Sequence, residues 1–124
     1  MPHDELNIDI TSEENGGTLV YRLRGSLDVA TSPSVRAALI AAASTHDRHI
    51  VVDLSKLEFL DSTGLGALIG AHKRAAEEEG VLRLVVGDGA ISRLLHITGL
   101  MKIFPTFATV DDAVADRNRL STQL

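Results

Sequence analysis

Cysteine and tryptophan are absent from the 124 residues, and aromatic side chains make up only 3% of them. Without a thiol there can be no disulfide, thiolate metal ligand or cysteine nucleophile. So few rings provide neither a base-stacking platform nor an aromatic ligand cage. Positive charge is short as well: 12 basic residues stand against 17 acidic ones, for a net charge of −5. That sign is wrong for neutralising nucleic-acid phosphates or an anionic lipid surface, so no nucleic acid and no membrane are expected as partners. No apolar run approaches the ~18 residues that span a bilayer. The start, Met1-Pro2-His3-Asp4-Glu5, lacks the basic region and apolar run of a secretory signal. A soluble, cytoplasmic chain is the expectation.

What remains is ordinary globular material, with 44% hydrophobic and 23% charged residues. A chain of this length buries roughly two-thirds of its unfolded surface, enough for one core without staples. We find no internal repeat and no linker, and read residues 1–124 as one domain with its core at about 5–120.

Residues 5–24 alternate apolar and polar side chains about Asn15-Gly16-Gly17, the pattern of an antiparallel hairpin, which Gly25-Ser26-Leu27-Asp28 ends. Ser32 suits an N-cap and Pro33 the first helical position, with Val35, Ala38, Leu39 and Ala42 at helical spacing, so a helix is predicted over 33–44. Ser44 to Arg48 read as a loop. His49 to Leu54 form a β-branched run with the continuous apolarity of a central strand. The spacing of Leu65, Leu68, Ile69 and Ala76 predicts a helix over 62–79, stopped by Gly80. A strand over 81–86 follows, then a Gly87-Asp88-Gly89 turn and a short helix with Ile91, Leu94, Leu95 and Thr98, capped by Gly99. Ile103-Phe104 predicts a brief edge strand ended by Pro105, and Val110, Ala113, Val114 and Leu120 an amphipathic last helix. The order β-β-α-β-α-β-α-β-α implies an α/β fold: a mixed, mostly parallel sheet with an N-terminal antiparallel hairpin and helices mainly on one face.

In such sheets function gathers where strand ends meet helix starts. Asp61-Ser62-Thr63-Gly64-Leu65-Gly66 places two hydroxyls and two glycines at one such junction. A capping account suffices for Asp61 or Ser62. The small residues Gly66, Ala67 and Gly70 read as an outward face that another backbone must approach, since each interior glycine costs about 1 kcal/mol relative to alanine. The approaching body is either another element of the same domain or a docking protein. At that helix start Ser62 would be open to a kinase, and a phosphate there would add about −1.5 to −2 charges. Gly64, Gly66 and Gly70 with Asp88 imitate a dinucleotide fingerprint, but the third glycine is misplaced and the chain too short for two mononucleotide halves. Ser62 lacks a Gly-x-Ser-x-Gly elbow. Of His3, His46, His49, His72 and His96, the pair His46 and His49 could share a metal, but no acid or thiol at ligand spacing supports a closed site, so they read as solvated loop residues, and His72 reads as a helix boundary residue. Neither a catalytic residue nor a metal or cofactor of its own is expected.

The run Val51-Val52-Asp53-Leu54-Ser55, continued by Leu57 and by Phe59-Leu60-Asp61-Ser62-Thr63-Gly64-Leu65-Gly66, strongly resembles the STAS domain of bacterial anti-sigma-factor antagonists. Gly25-Ser26-Leu27-Asp28 shares the resemblance, and Leu95-His96-Ile97-Thr98-Gly99-Leu100 with Lys102-Ile103-Phe104-Pro105 is similar to actinobacterial members. The resemblance implies a non-enzymatic partner switch. The unphosphorylated chain would bind an anti-sigma factor that is itself a GHKL-type serine kinase and so free a sigma factor. Phosphorylation at Ser62, with Thr63 the weaker acceptor, would end binding, and a PP2C-type phosphatase would reverse it. Asp28 matches an acid near the phosphoacceptor that shapes the docking surface, while Ser26 replaces a commonly acidic residue. The implied partner-binding set is Asp28, Asp61, Ser62, Thr63, Gly64, Gly66, Ala67 and Gly70. A homodimer is open, and a scaffold subunit of a signalling assembly or a small nucleotide-binding domain are the alternative functions.

Overall fold

The computed structural model of the protein describes residues 7–44 and 49–123. Strands β1 (Ile8–Asn15) and β2 (Thr18–Leu27) form the predicted hairpin. Its turn is possible because Gly16 and Gly17 take φ angles of 59° and 86°, a combination that side-chain-bearing residues resist. Helix α1 (Ser32–Ser44), the long strand β3 (His49–Leu60), helix α2 (Ser62–Glu77), strand β4 (Val81–Val85), helix α3 (Ala90–Ile97), a 3-10 turn (Leu100–Lys102), strand β5 (Thr106–Phe107) and helix α4 (Val110–Gln123) follow. The sheet order is β1-β2-β3-β4-β5, antiparallel at β1-β2 and parallel elsewhere. This is the α/β architecture that the strand and helix alternation implies.

Strand alternation sorts the apolar residues onto two faces. Leu23, Ile50, Val52, Leu82 and Leu84 join Leu39, Leu68, Leu95 and Phe104 in the large core beneath α1, α2 and α3. Val20, Val51 and Val85 turn the other way, to Ala113 of α4, with Phe107, Val110 and Val114 packed around them. Helices therefore lie mainly on one face, with α4 alone on the other among the described residues. β3 is central as expected, but it runs on to Leu60 and so carries the chain directly to the start of α2.

Four expectations are corrected. Helix α1 starts at Ser32 rather than after it, because Thr31 supplies the first carbonyl, accepting from the Val35 N–H at 3.3 Å. Ala76 is exposed, and α2 buries Gly64, Ala67, Leu68, Ala71 and Ala75 instead. Alanine scores weakly as an apolar residue, yet it lets α2 pack closely against α1. The helix is stopped by Glu79, at φ 62°, not by Gly80: the Glu79 N–H reaches the Ala76 carbonyl and the Gly80 N–H the Ala75 carbonyl at 2.7 Å. That is a Schellman closure with glycine one place late. The edge strand lies after Pro105, at Thr106–Phe107, while Phe104 is buried in the core; the Pro105 carbonyl accepts from the Leu84 N–H at 2.9 Å, so the proline opens the strand rather than ending it. The predicted positions of His3, His46, the 45–48 part of the loop and the Leu120 side chain lie outside the described residues.

His72, on α2, stands edge-on to Phe104 with ring centroids 5.1 Å apart, and its Nδ1 is buried without a hydrogen-bond partner among the described residues. Burial holds its pKa below the ordinary 6.5. The unfolded chain therefore binds this proton more readily, and the stabilising difference, present above about pH 6.5, is lost as pH falls through that value. His72→Leu is expected to gain in melting temperature over the native chain as pH is lowered from about 7 to about 5. A difference that stays constant across that range would refute the assignment.

Candidate functional site

The site is built where β2 and β3 end side by side. Leu27 pairs with Leu60, and the next residue of each strand is an aspartate. Asp61 leaves the strand in extended conformation, donates its N–H to the Leu27 carbonyl at 3.2 Å, and caps α2 by accepting from the Gly64 N–H at 3.0 Å. Its carboxylate also accepts the Thr63 hydroxyl at 2.5 Å. The Thr63 hydroxyl first, then the Gly64 N–H, with smaller help from the Thr63 and Val29 N–H groups, hold the Asp61 pKa below the ordinary carboxylate range. Asp61 is thus a fixed negative charge beside the helix start.

Asp28 turns inward on its own loop. Its Oδ1 accepts from the Ala30 and Thr31 N–H groups at 3.0 and 3.2 Å, while Thr31 donates its hydroxyl to the Ser26 carbonyl at 2.8 Å. The loop so fixed brings the Val29 N–H to the Asp61 carboxylate and leaves the Val29 side chain 71% exposed. The structure therefore brings Asp28, Asp61, Ser62 and Thr63 to one edge.

The two hydroxyls at that edge are not equivalent. Thr63 is committed to Asp61, whereas Ser62 is exposed and forms no hydrogen bond among the described residues. A hydroxyl that is both open and unengaged can be covered or modified without dismantling the cap.

The small residues divide. Gly64 is buried, and a Cβ on it would lie 2.7 Å from the Leu27 carbonyl oxygen and from Leu60 Cδ1. It is small so that α2 can close on the end of β2. Ala67 is also buried, which overturns the expectation of an outward position, since that side of α2 faces α1. A Cβ at Gly70 would lie 3.0 Å from Arg36 Nε of α1, so the approaching element there belongs to the same domain. Only Gly66 of that set is exposed with open space about it.

Sequence reasoning missed one exposed apolar residue of this edge, Val29, and a second, Phe59, 51% exposed, which turns to the sheet face away from Leu60 and α2. Each had a legible signal, an apolar residue in a polar turn for Val29 and a second apolar side chain beside Leu60 for Phe59. Val29 beside Asp61 sets an exposed apolar side chain next to a hydroxyl and a fixed carboxylate, an arrangement fit for docking a protein. Asp88 lines a separate cleft between Leu54–Glu58 and the start of α3. No group of three metal-ligating side chains occurs among the described residues, and no helix there is long and apolar enough to cross a membrane.

The Anti-sigma F factor antagonist of Paenibacillus polymyxa is 34% identical over 112 residues, covering 90% of this chain and 96% of that protein. The Anti-sigma-F factor antagonist RsfB of Mycobacterium tuberculosis is 30% identical over 109 residues, covering 87% and 88%. The crystal structure of an anti-sigma factor antagonist from Mycobacterium paratuberculosis superposes with a TM-score of 0.81 at 34% identity, covering 88% of this chain and 92% of that one. The STAS domain family matches residues 9–113, the whole span from β1 into α4, and the chain belongs to that family.

Proposed function

We propose that this chain is an anti-sigma-factor antagonist, a non-enzymatic cytoplasmic protein that binds an anti-sigma factor through the Ser62 surface and thereby frees a sigma factor. The anti-sigma factor acts as a GHKL-type serine kinase on Ser62, and a PP2C-type phosphatase restores the hydroxyl. The observation that carries this reading is the contrast at the start of α2: Ser62 is exposed and unengaged while Thr63 is held by Asp61. The names of the relatives, which match nearly the whole chain at 30–34% identity, support the partner class.

The chemistry at that position favours a switch without refolding. The helix start accommodates a phosphate, a stabilisation of about 0.3–1 kcal/mol. The Asp61 cap does not use the Ser62 hydroxyl, so it survives the modification. What changes is the surface, where about two negative charges join Asp61 beside Val29. Incubation of the chain with its cognate anti-sigma factor and ATP is expected to place one phosphate on Ser62, located by mass spectrometry of the digested protein. Stoichiometric labelling of a Ser62→Ala chain would overturn the assignment.

A further inference from the structure

Strand β1 is the outermost strand of the sheet, and among the described residues only β2 pairs with it. Its register runs unbroken from Ile8 opposite Gly25 to Asn15 opposite Thr18, so it lacks the bulge that twists many edges out of use. It also carries no proline and no lysine, the residues that commonly blunt an edge. In an antiparallel pair the bonded and open positions alternate. The Ser26 N–H donates to the Asn7 carbonyl at 2.7 Å, and a two-residue turn closes the other end between Asn15 and Thr18, so residues 7, 9, 11, 13 and 15 bond inward to β2. Ile8, Ile10, Ser12 and Glu14 therefore aim their N–H and carbonyl groups away from the sheet.

The side chains restrict what can pair with that edge. Ile8 and Ile10 are half-buried against the large core, with Ser12 and Glu14 exposed beyond them, while Asp9, Thr11 and Glu13 stand exposed on the opposite face. A second copy of β1, running antiparallel about a two-fold axis, must set outward-bonding residues opposite one another. Of the registers centred on residues 9 to 13, those on Asp9, Thr11 and Glu13 bring acid against acid, and the one on Ser12 brings Ile10 against Glu14. Centred on Ile10, the copies set isoleucine against isoleucine, Ile8 against Ser12 and Asp9 against Thr11. No acid then faces an acid.

We propose that this chain forms a two-fold dimer through β1, with antiparallel copies meeting at Ile10 so that two five-stranded sheets run on into one. The proposal is independent of the Ser62 reading. Assembly stops at two copies, because the opposite edge strand, β5, is two residues long and follows Pro105. The contact is small, so the dimer is weak and forms with rising concentration.

The absence of cysteine gives a register-specific test. Bonded antiparallel partners hold their Cα atoms about 5.5 Å apart, within disulfide range. In a glutathione redox buffer Ile10→Cys is expected to become mostly covalent dimer on a non-reducing gel. Ser12→Cys, whose thiol would face Ile8 of the second copy, should stay mostly monomer. In sedimentation equilibrium the native chain should rise from the monomer mass toward twice that value between about 10 μM and about 1 mM. Ser12→Pro removes an outward N–H and no bond of the β1–β2 ladder, so it should melt with the native chain yet dimerise at least about tenfold more weakly. Should Ser12→Pro unfold, the cysteine chains, which keep every backbone donor, decide the case. A native chain that remains monomeric throughout that range overturns the dimer and leaves the edge to a strand of another protein. Crosslinking of Ser12→Cys equal to or above that of Ile10→Cys overturns the register, and a dimer that a folded Ser12→Pro chain forms as well as the native one overturns the use of β1.

Discussion

Ser62→Asp is expected to weaken binding of the cognate anti-sigma factor by about ten- to a hundredfold, and phosphorylation of Ser62 by about a thousandfold, while Ser62→Ala binds as the native chain does. The gradation follows from charge. Two unit charges 4 Å apart at an effective dielectric of 20 interact by about 4 kcal/mol, which is about three powers of ten in affinity. A phosphate brings nearly two charges and three acceptor oxygens, whereas a carboxylate brings one charge on a shorter arm. Asp61 is already ionised at this edge, its carboxylate held by Thr63 and Gly64, so the partner must tolerate one charge there and meets an excess only after modification. Alanine removes a hydroxyl that bonds to nothing among the described residues, so the uncomplexed state loses little. Equal affinity for the Asp, phosphorylated and native forms by calorimetry would refute a charge-based switch. A parallel loss in the Ala form would show that the partner needs the hydroxyl itself.

The parts of this molecule that could be read directly from its residues are those governed by short-range rules. Period-two alternation exposes the hairpin, β-branched continuity exposes β3 as central, and an aspartate before a hydroxyl pair exposes the capped start of α2. The parts that escaped depend on distant packing. The buried stripe of Ala67, Ala71 and Ala75 follows from how closely α1 approaches, which no periodicity of strongly apolar residues reveals. Glu79 in a left-handed conformation looks like part of an acidic helical face until the Ala75 and Ala76 carbonyls show what the backbone must reach. The two-residue strand β5 is too short for any period and is identified only by its bonds to β4. At the site, Ser62 and Asp61 were legible from their junction, whereas Val29 became visible once β2 and β3 were seen to end together.

Arg83 is the strongest case of a distant partner deciding a residue's role, and it carries the largest expected effect on stability. In the run Val81-Leu82-Arg83-Leu84-Val85 it occupies a core-facing position of β4 and is wholly buried. Asp116, on α4, receives its Nε–H at 2.9 Å, while Nη1 lies 3.4 Å from the His49 Nδ1 and Nη2 has no hydrogen-bond partner among the described residues. The guanidinium cannot shed its proton to escape burial, so Asp116 is what makes the charge tolerable. Asp116→Ala is therefore expected to destabilise the fold by about 3–5 kcal/mol, a large share of the roughly 5–15 kcal/mol that holds a domain together. Arg83→Met should cost less, because it removes the wholly buried charge itself, whereas the Asp116 side chain is 11% exposed. The double change Arg83→Met with Asp116→Leu should return close to native stability, since two apolar side chains of similar volume need no pairing and the orphaned Nη2 disappears with the arginine. Urea unfolding of the four chains closes the cycle. A loss below about 1 kcal/mol for Asp116→Ala would mean that Arg83 finds other support. A double mutant as unstable as the worse single one would mean that shape, not charge, dominates beneath α4. Because α4 covers the sheet face opposite α2, the folded fraction of each chain should bind the anti-sigma factor with native affinity; stability and switching then rest on opposite faces of one sheet.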